Sequence, residues 1–111
     1  MKTIKTIALL SGLFSVSAGL GYAATAAENW ENSCAKCHSA DGSGSTKIGK
    51  KLKLKDYTDA KVQAALKDED LVKAINDGVT DEGKEKMKGF KGELSAPEVK
   101  DLVAFIRKLQ K

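Results

Sequence analysis

The 111-residue chain has very few of the side chains on which most catalytic and metal sites depend. It contains one histidine and two cysteines. A structural zinc site takes about four protein ligands, so it would need carboxylates here, and their spacing does not suggest such a site. No acid pair or spare cysteine forms a recognisable catalytic set. The sequence therefore does not support an enzyme that works with its own side chains.

Aromatic residues are also scarce, at 5% of the chain. Beyond residue 26 they are Trp30, Tyr57, Phe90 and Phe105. A small domain buries a modest core and often needs a staple such as a metal or a disulfide. We therefore expect this chain to rely on something besides side-chain packing.

What the sequence does contain is the stretch Cys34-Ala35-Lys36-Cys37-His38. It has the form C-x-x-C-H, the attachment motif of a c-type haem. On a helix, residues three apart face the same side, so each thiol can form a thioether with one haem vinyl group. His38 then presents its imidazole to the iron. With both cysteines bound to haem no disulfide is available, so the porphyrin becomes the centre of the core and folding is coupled to attachment.

Three other interpretations of a C-x-x-C pair compete with haem: a redox dithiol, half a zinc site, and a disulfide of a secreted protein. The zinc site lacks ligands. A thioredoxin-like dithiol is expected at the start of a helix after a strand, whereas this motif follows a helical stretch with no β pattern before it. The complete motif favours haem.

Residues 1–26 are typical of a secretory signal peptide. Lys2 and Lys5 form a basic start, an apolar run extends over 7–20, and Ala24-Thr25-Ala26 fits a cleavage site. The alternative is an uncleaved anchor, but the run is short for a membrane span, which needs about 20 apolar residues. Cleavage would leave residues 27–111 as one domain of net charge +2 before the haem propionates are counted. This charge does not suggest a nucleic-acid-binding protein.

The remaining pattern predicts helices separated by loops. Helices are expected over 27–37, over 59–66 with Thr58 as cap, and from an Asp68 cap to Gly78. Ser95 and Glu98 form a capping box that opens a C-terminal helix. Its apolar stripe has helical spacing: Val99, Leu102, Val103, Phe105, Ile106 and Leu109. Residues 39–55, which include a run of lysines, and residues 79–92 are predicted to be irregular.

Met87, beyond residue 26 the only methionine, lies 49 residues after His38. A neutral thioether is a suitable second axial ligand, and Met/His pairing raises the potential of a cytochrome. Packing in the core is the commoner role of methionine. An isolated apolar residue between Lys86 and Lys88 is more easily explained if it points at the iron. Both lysines are candidate substitute ligands at high pH.

Together these features resemble the class I c-type cytochromes of the small bacterial type, over all of residues 27–111. The resemblance implies an all-α fold in which three to four helices pack around one covalently attached haem c. It also implies a crossing of the first and last helices, with Trp30 against Phe105 and Leu102, and a contact from Ala26. Two prolines that the family often has are replaced by Lys50 and Lys88. The backbone carbonyl of Gly49 is expected to accept a hydrogen bond from His38 Nδ1, and Tyr57 and Trp30 are candidates for bonds to the propionates.

The expected function is that of a soluble, periplasmic, monomeric electron carrier with iron between His38 and Met87. Its partners would be redox proteins that donate and accept single electrons, with an acidic docking surface opposite the lysines near both loops. Nucleic acid and stable membrane insertion are not expected. The alternatives are a haem enzyme or a sensor of gas or peroxide in which Met87 dissociates, and a detached module of a larger haem enzyme.

Overall fold

The computed structural model describes residues 24–111. Within this part the chain forms five helices and one two-stranded hairpin. Nearly all of the expected signal peptide, residues 1–23, lies outside the described residues, so its prediction is not tested. None of the described helices is long and apolar enough to cross a membrane.

The first helix, α1, carries the C-x-x-C-H motif and has three consecutive parts. They are an α-helical turn at Ala26–Asn29, a π-helical turn at Trp30–Cys34 and a further α-helical turn at Ala35–His38. Thr25 begins the helix with a capping box to Glu28, which satisfies backbone N–H groups that have no partner within the helix. π-helical turns are frequent at functional sites. This one ends at Cys34, the first cysteine of the motif.

The other elements follow in chain order. They are helices α2 (Lys47–Leu52), α3 (Ala60–Ala65) and α4 (Asp68–Asp77), strands β1 (Val79–Asp81) and β2 (Lys84–Met87), and helix α5 (Ala96–Arg107). The predicted capping box of α5 is confirmed, because Ser95 Oγ accepts from the Glu98 N–H at 3.2 Å. Gly78 ends α4 as predicted.

Two expected helix starts differ in detail. Asp59 rather than Thr58 caps α3, since its carboxylate accepts from the Lys61 N–H at 2.8 Å. Asp68 is the first residue of α4 and not its cap. Its negative charge still lies in the first turn, where it interacts favourably with the helix dipole.

The core lies between α1, α4 and α5. Trp30, Leu71, Ile75 and the inner face of α5 are buried there. The rings of Trp30 and Phe105 are 5.5 Å apart, and Asn29 Nδ2 donates to Glu98 Oε2 at 3.0 Å. The expected packing of the first helix against the last is therefore present, and Ala26 is among the residues packed against this core.

Two segments predicted to be irregular are ordered. The lysine run at 47–52 forms α2, which Thr46 caps by accepting from the Gly49 N–H at 2.9 Å. Residues 79–87 form an antiparallel hairpin in which almost every side chain is exposed. The described residues are mostly helical, as expected, but the hairpin corrects the expectation of an all-α fold, and five helices are present where three to four were expected.

A polar network joins α3 to the end of α5. The buried Gln63 Nε2 donates to Tyr57 O at 2.7 Å and to Ile106 O at 2.8 Å. Arg107 donates to Gln63 O, Leu66 O and the Asp68 carboxylate. Since an unpaired buried amide is costly, these bonds make a buried glutamine compatible with the core.

Candidate haem-binding site

Side chains from the three helices α1, α4 and α5, one loop and the hairpin surround one cavity beside the haem motif. The lining is mainly apolar and aromatic, with the thiol of Cys34, the imidazole of His38 and the thioether of Met87. The lining residues are Trp30, Cys34, His38, Tyr57, Leu71, Ala74, Ile75, Met87, Leu102 and Ile106.

His38 lies between two aromatic rings. Its ring is 5.4 Å from that of Tyr57 and nearly parallel to it, at 16°, and 5.7 Å from that of Trp30. Burial lowers the pKa of His38 below its ordinary value of 6.5. The imidazole is therefore held in its neutral form, the one that binds a metal.

The expected hydrogen bond from His38 Nδ1 to Gly49 is absent. Gly49 lies inside α2, and its carbonyl accepts instead from the Leu54 N–H at 3.0 Å. His38 Nδ1 is buried and has no hydrogen-bond partner among residues 24–111. The prediction failed because it treated residues 39–55 as a loop with free carbonyl groups.

The segment after His38 is nevertheless tightly packed against α1. Thr46 Oγ1 donates to Cys37 O at 2.7 Å, and the Gly44 N–H donates to His38 O at 2.9 Å. A Cβ on Gly49 would collide with the carbonyl oxygens of Gly44 and Cys37. Only glycine therefore allows α2 to approach the haem motif this closely.

The two cysteines have different surroundings. Cys34 is buried, and burial together with the nearby Cys37 raises its pKa to about 11. Cys37 is half-buried and does not line the cavity. A redox dithiol depends on a lowered thiol pKa, so the raised value at Cys34 argues against a thioredoxin-like function.

The indole N–H of Trp30 is engaged by the protein backbone and is not free to bond to a propionate. Its Nε1–H donates to Ser39 O at 3.1 Å and to Ala40 O at 3.2 Å. These bonds hold the chain where it leaves α1, at Ser39 with φ of 73°. Trp30 therefore supports the end of the haem motif as well as packing in the core.

Met87 is the last residue of β2 and is half-buried at the cavity, while its strand neighbours are exposed. Its position depends on a close backbone crossing. A Cβ on Gly78 would collide with Met87 O, and one on Gly89 would collide with Asn76 O. The two residues after Gly89 are hydrogen-bonded to α4: the Phe90 N–H donates to Ile75 O at 2.8 Å, and the Lys91 N–H donates to Asn76 O at 3.1 Å.

Some site residues gave little signal in the sequence. Ala74 lines the cavity, but alanine is ambiguous in a helical pattern. Gln63 is buried and orders the backbone of Tyr57, although a polar residue in a short helix usually indicates a solvent-facing position. The stacking of Tyr57 on His38 depends on the path of the chain between them, which no local pattern reports.

The residues present fit a covalently attached haem. The cavity is apolar, and the same cavity collects a thiol, a neutral imidazole and a thioether. A nitrogen and a soft sulfur are the axial ligand set of Met/His cytochromes. The unpartnered His38 Nδ1 leaves one feature of a metal-ligating histidine unfulfilled, because such a histidine usually donates its other N–H. Among residues 24–111 no three His, Cys, Asp or Glu side chains are grouped around a common point for a metal ion.

Comparison with known proteins agrees with this site. A family model described as cytochrome c oxidase, cbb3-type, subunit III matches residues 21–106. A solved structure described as the KustC0563 c-type cytochrome is 33% identical, with a TM-score of 0.70, and the match covers 79% of this chain and 100% of that one. A single-residue mutant of the same protein is 32% identical, with a TM-score of 0.68 and coverage of 78% and 100%. The comparison with curated proteins gave no match.

The family match spans most of the chain and includes the complete C-x-x-C-H motif. It implies a covalently bound haem c with iron, and a function in haem-based electron transfer. This chain belongs to the family of the cbb3-type cytochrome c domain and is a small c-type cytochrome.

Proposed function

We propose that this protein is a periplasmic electron carrier that transfers one electron at a time through a single haem c with His38 and Met87 as axial ligands. The observation that carries the proposal is the shared cavity of Cys34, His38 and Met87. A neutral imidazole and a thioether from positions far apart in the chain converge there. Core packing alone explains an apolar methionine but not its meeting with the histidine of the haem motif.

Each site residue has a defined task in this proposal. Cys34 and Cys37 hold the porphyrin through thioethers, His38 provides the nitrogen ligand and Met87 the sulfur ligand. A haem iron held in this way would supply one-electron chemistry by changing between two oxidation states. The apolar lining excludes water from the iron, which together with the thioether favours the reduced state.

The surroundings of the cavity support a carrier rather than an enzyme. Its lining contains no carboxylate, lysine or arginine within the described residues. General acid–base catalysis requires a positioned titratable group near the substrate. If His38 and Met87 both held the iron, no coordination position would be left for a substrate, and the haem would supply electron transfer alone.

The N-terminal sequence supports the proposed location, and the surface charge supports the proposed partners. The basic start and apolar run support export and cleavage at the end of residues 1–26. The mature protein is proposed to be a monomer that meets a redox donor and a redox acceptor in turn. A positive surface near the haem edge suits acidic partners.

The absorption spectrum and a midpoint titration of the exported holoprotein test the proposal. Low-spin iron, a weak thioether–iron charge-transfer band at the red end of the spectrum and one haem per chain are expected. The titration is expected to follow a single one-electron step at positive potential. High-spin iron in the wild type would contradict the Met87 ligand and favour a binding or catalytic role.

Mass spectrometry of the periplasmic fraction tests the location. The expected mass is that of residues 27–111 plus one haem, with the N-terminus at or within a few residues of Ala27. Holoprotein that stays with the membrane fraction and retains residues 1–26 would show an uncleaved anchor instead.

A further inference from the structure

Lys88, the residue directly after Met87, makes side-chain contacts that the lysines of β2 do not make. Its Nζ lies 2.8 Å from Glu93 Oε1 and 5.3 Å from the centre of the Phe90 ring. The other ion pair among residues 24–111 joins α4 to α5. The residue next to the proposed sulfur ligand is thus held by its own side chain as well as by its backbone.

Phe90 gives this side chain a fixed point to rest on. The ring is buried in the core at 9% exposure, and the Phe90 N–H donates to Ile75 O at 2.8 Å. The Phe90 carbonyl accepts from the Glu93 N–H at 2.9 Å and from the Leu94 N–H at 3.0 Å. This turn brings the Glu93 carboxylate back beside Lys88.

Beyond the turn the chain enters α5. Leu94 packs against the core, and Ser95 caps the helix. Lys88 therefore links the end of β2 both to the core and to the segment that leads into α5. We call the contacts of Lys88 with Phe90 and Glu93 the Lys88 clasp.

The chain before Met87 has no comparable attachment. The side chains of β2 that precede it are exposed, and at the hairpin tip no atom lies near the Cβ position of Gly83. Local opening occurs most readily where few buried contacts oppose it. The contacts that follow Met87 in the chain therefore control how often its thioether leaves the cavity.

We propose that Lys88 is a positioning residue for Met87, and that the Lys88 clasp keeps the thioether at the iron. This inference rests on the proposed ligation by His38 and Met87. The effect is modest, because the side chains of Lys88 and Glu93 are 58% and 55% exposed and exposed ion pairs stabilise weakly. The contact of the cation with a buried ring adds to it.

Imidazole titration of the oxidised holoprotein near neutral pH tests the proposal. Imidazole takes the coordination position that Met87 leaves, so its apparent affinity rises with the fraction of molecules in which the thioether is detached. Lys88→Gln is expected to bind imidazole roughly threefold more tightly than the wild type. Lys88→Arg keeps the charge and can stack on the Phe90 ring, so this variant should keep the wild-type affinity.

Salt and a second substitution separate the parts of the clasp. The ratio of imidazole affinities between Lys88→Gln and the wild type should decrease as salt screens the ion pair. Glu93→Gln should have a smaller effect than Lys88→Gln, because the cation still lies over the Phe90 ring. The double variant should bind imidazole no more tightly than Lys88→Gln alone, since both substitutions remove the same ion pair.

Two controls separate positioning from charge and from general stability. Lys91→Gln removes the same charge from an exposed lysine of this segment that has no ion pair within residues 24–111, and it should bind imidazole as the wild type does. Asp68→Asn breaks the other ion pair, with Arg107. It should lower stability in urea and leave the imidazole affinity unchanged.

Three outcomes would overturn the Lys88 clasp. They are a wild-type imidazole affinity in Lys88→Gln, an equal rise in Lys91→Gln, and an equal rise in Asp68→Asn. A failure of the proposed ligation is distinguishable, because Met87→Ala would then leave both the spectrum and the imidazole affinity unchanged, and the clasp would have no ligand to position.

Discussion

The two residues proposed as axial ligands are held in very different ways. His38 belongs to a helix, lies between the rings of Trp30 and Tyr57, and is followed by a segment bonded back onto the haem motif. Met87 ends an exposed hairpin whose attachment to the body is a backbone crossing at Gly78 and Gly89, followed by two hydrogen bonds to α4. The histidine side is fixed by packing from several directions, and the methionine side by one crossing.

This difference separates two kinds of mutational effect. Changes on the histidine side remove contacts shared with the core, so they should affect folding and haem attachment. Changes on the methionine side should alter the ligand while the domain remains folded, because few buried contacts depend on the hairpin. The predictions below test this separation.

The largest effect is expected at the cysteines. Cys34→Ser or Cys37→Ser should leave little holoprotein and mostly unfolded chain, because a small core with four aromatic residues depends on the attached haem. The yield of covalent haem and far-ultraviolet circular dichroism measure both quantities. Wild-type amounts of stable, folded, haem-free protein would show that the core does not need the cofactor.

Met87→Ala should leave the protein folded but change the iron site. The thioether charge-transfer band should disappear, added imidazole should bind, and the potential should fall by on the order of a hundred millivolts, since axial ligands tune haem potentials over roughly 0.8 V. The control Lys86→Ala, at the preceding exposed position, should leave spectrum and potential unchanged. A spectrum unaffected by Met87→Ala would refute ligation.

Gly89→Ala should loosen the ligand through the backbone crossing. A new Cβ would collide with Asn76 O, and such crowding costs about 1–3 kcal/mol. Gly83→Ala is a matched control, because Gly83 has φ of 77° and no atom near its Cβ position. An alanine there would adopt a left-handed conformation that costs about 1–2 kcal/mol but would collide with nothing. Both variants should unfold at lower denaturant concentration, but only Gly89→Ala should weaken the charge-transfer band. Loss of the band in both would make the whole hairpin, and not the crossing, responsible for placing Met87.

The smallest effect concerns the contact between α1 and α5 on the histidine side. Hydrogen bonds from Asn29 and Ser95 lower the pKa of Glu98 below its ordinary value of 4.5. A carboxyl group whose pKa is lower in the folded state stabilises the protein above its unfolded pKa, and this contribution disappears as pH falls through the folded pKa.

Glu98→Gln keeps the capping box and removes the charge. The variant should be slightly less stable than the wild type near neutral pH, and its stability should decline less as pH falls below 4.5. Urea unfolding across this range measures both slopes, with the spectrum unchanged throughout. If the stability of the two proteins declined in parallel as pH falls, Glu98 would not contribute to the acid sensitivity of the fold.

The sequence was informative wherever a short stretch carries its own physical signal. The C-x-x-C-H motif, the Ser95–Glu98 capping box, the apolar stripe of α5 and the end of α4 at Gly78 all depend on residues within a few positions of each other. The mostly helical fold and the cytochrome family followed from these. The convergence of His38 and Met87 was expected because Met87 is an isolated apolar residue among lysines, and the structure brings both side chains to one cavity.

Other features depended on contacts between distant segments and were wrong or missing in the prediction. The lysine run was taken for a loop, because charge suggests solvent but does not distinguish a helix from a loop. The carbonyl of Gly49 was expected to bond to His38, although helix formation engages it elsewhere. The hairpin was missed because its alternation is between charged residues, so it has no apolar face to indicate a strand.

By itself, the sequence determined the attachment motif, the helices with caps and apolar stripes, and the scarcity of other ligands, since each is a matter of residue type and local spacing. The tertiary structure decided which side chains surround His38, how Gly78 and Gly89 let two backbone segments cross to place Met87, and that α2 lies beside the more exposed cysteine. The physical reason is that close packing and the pairing of buried polar groups are satisfied by segments distant in the chain, and no local pattern specifies which of them will meet.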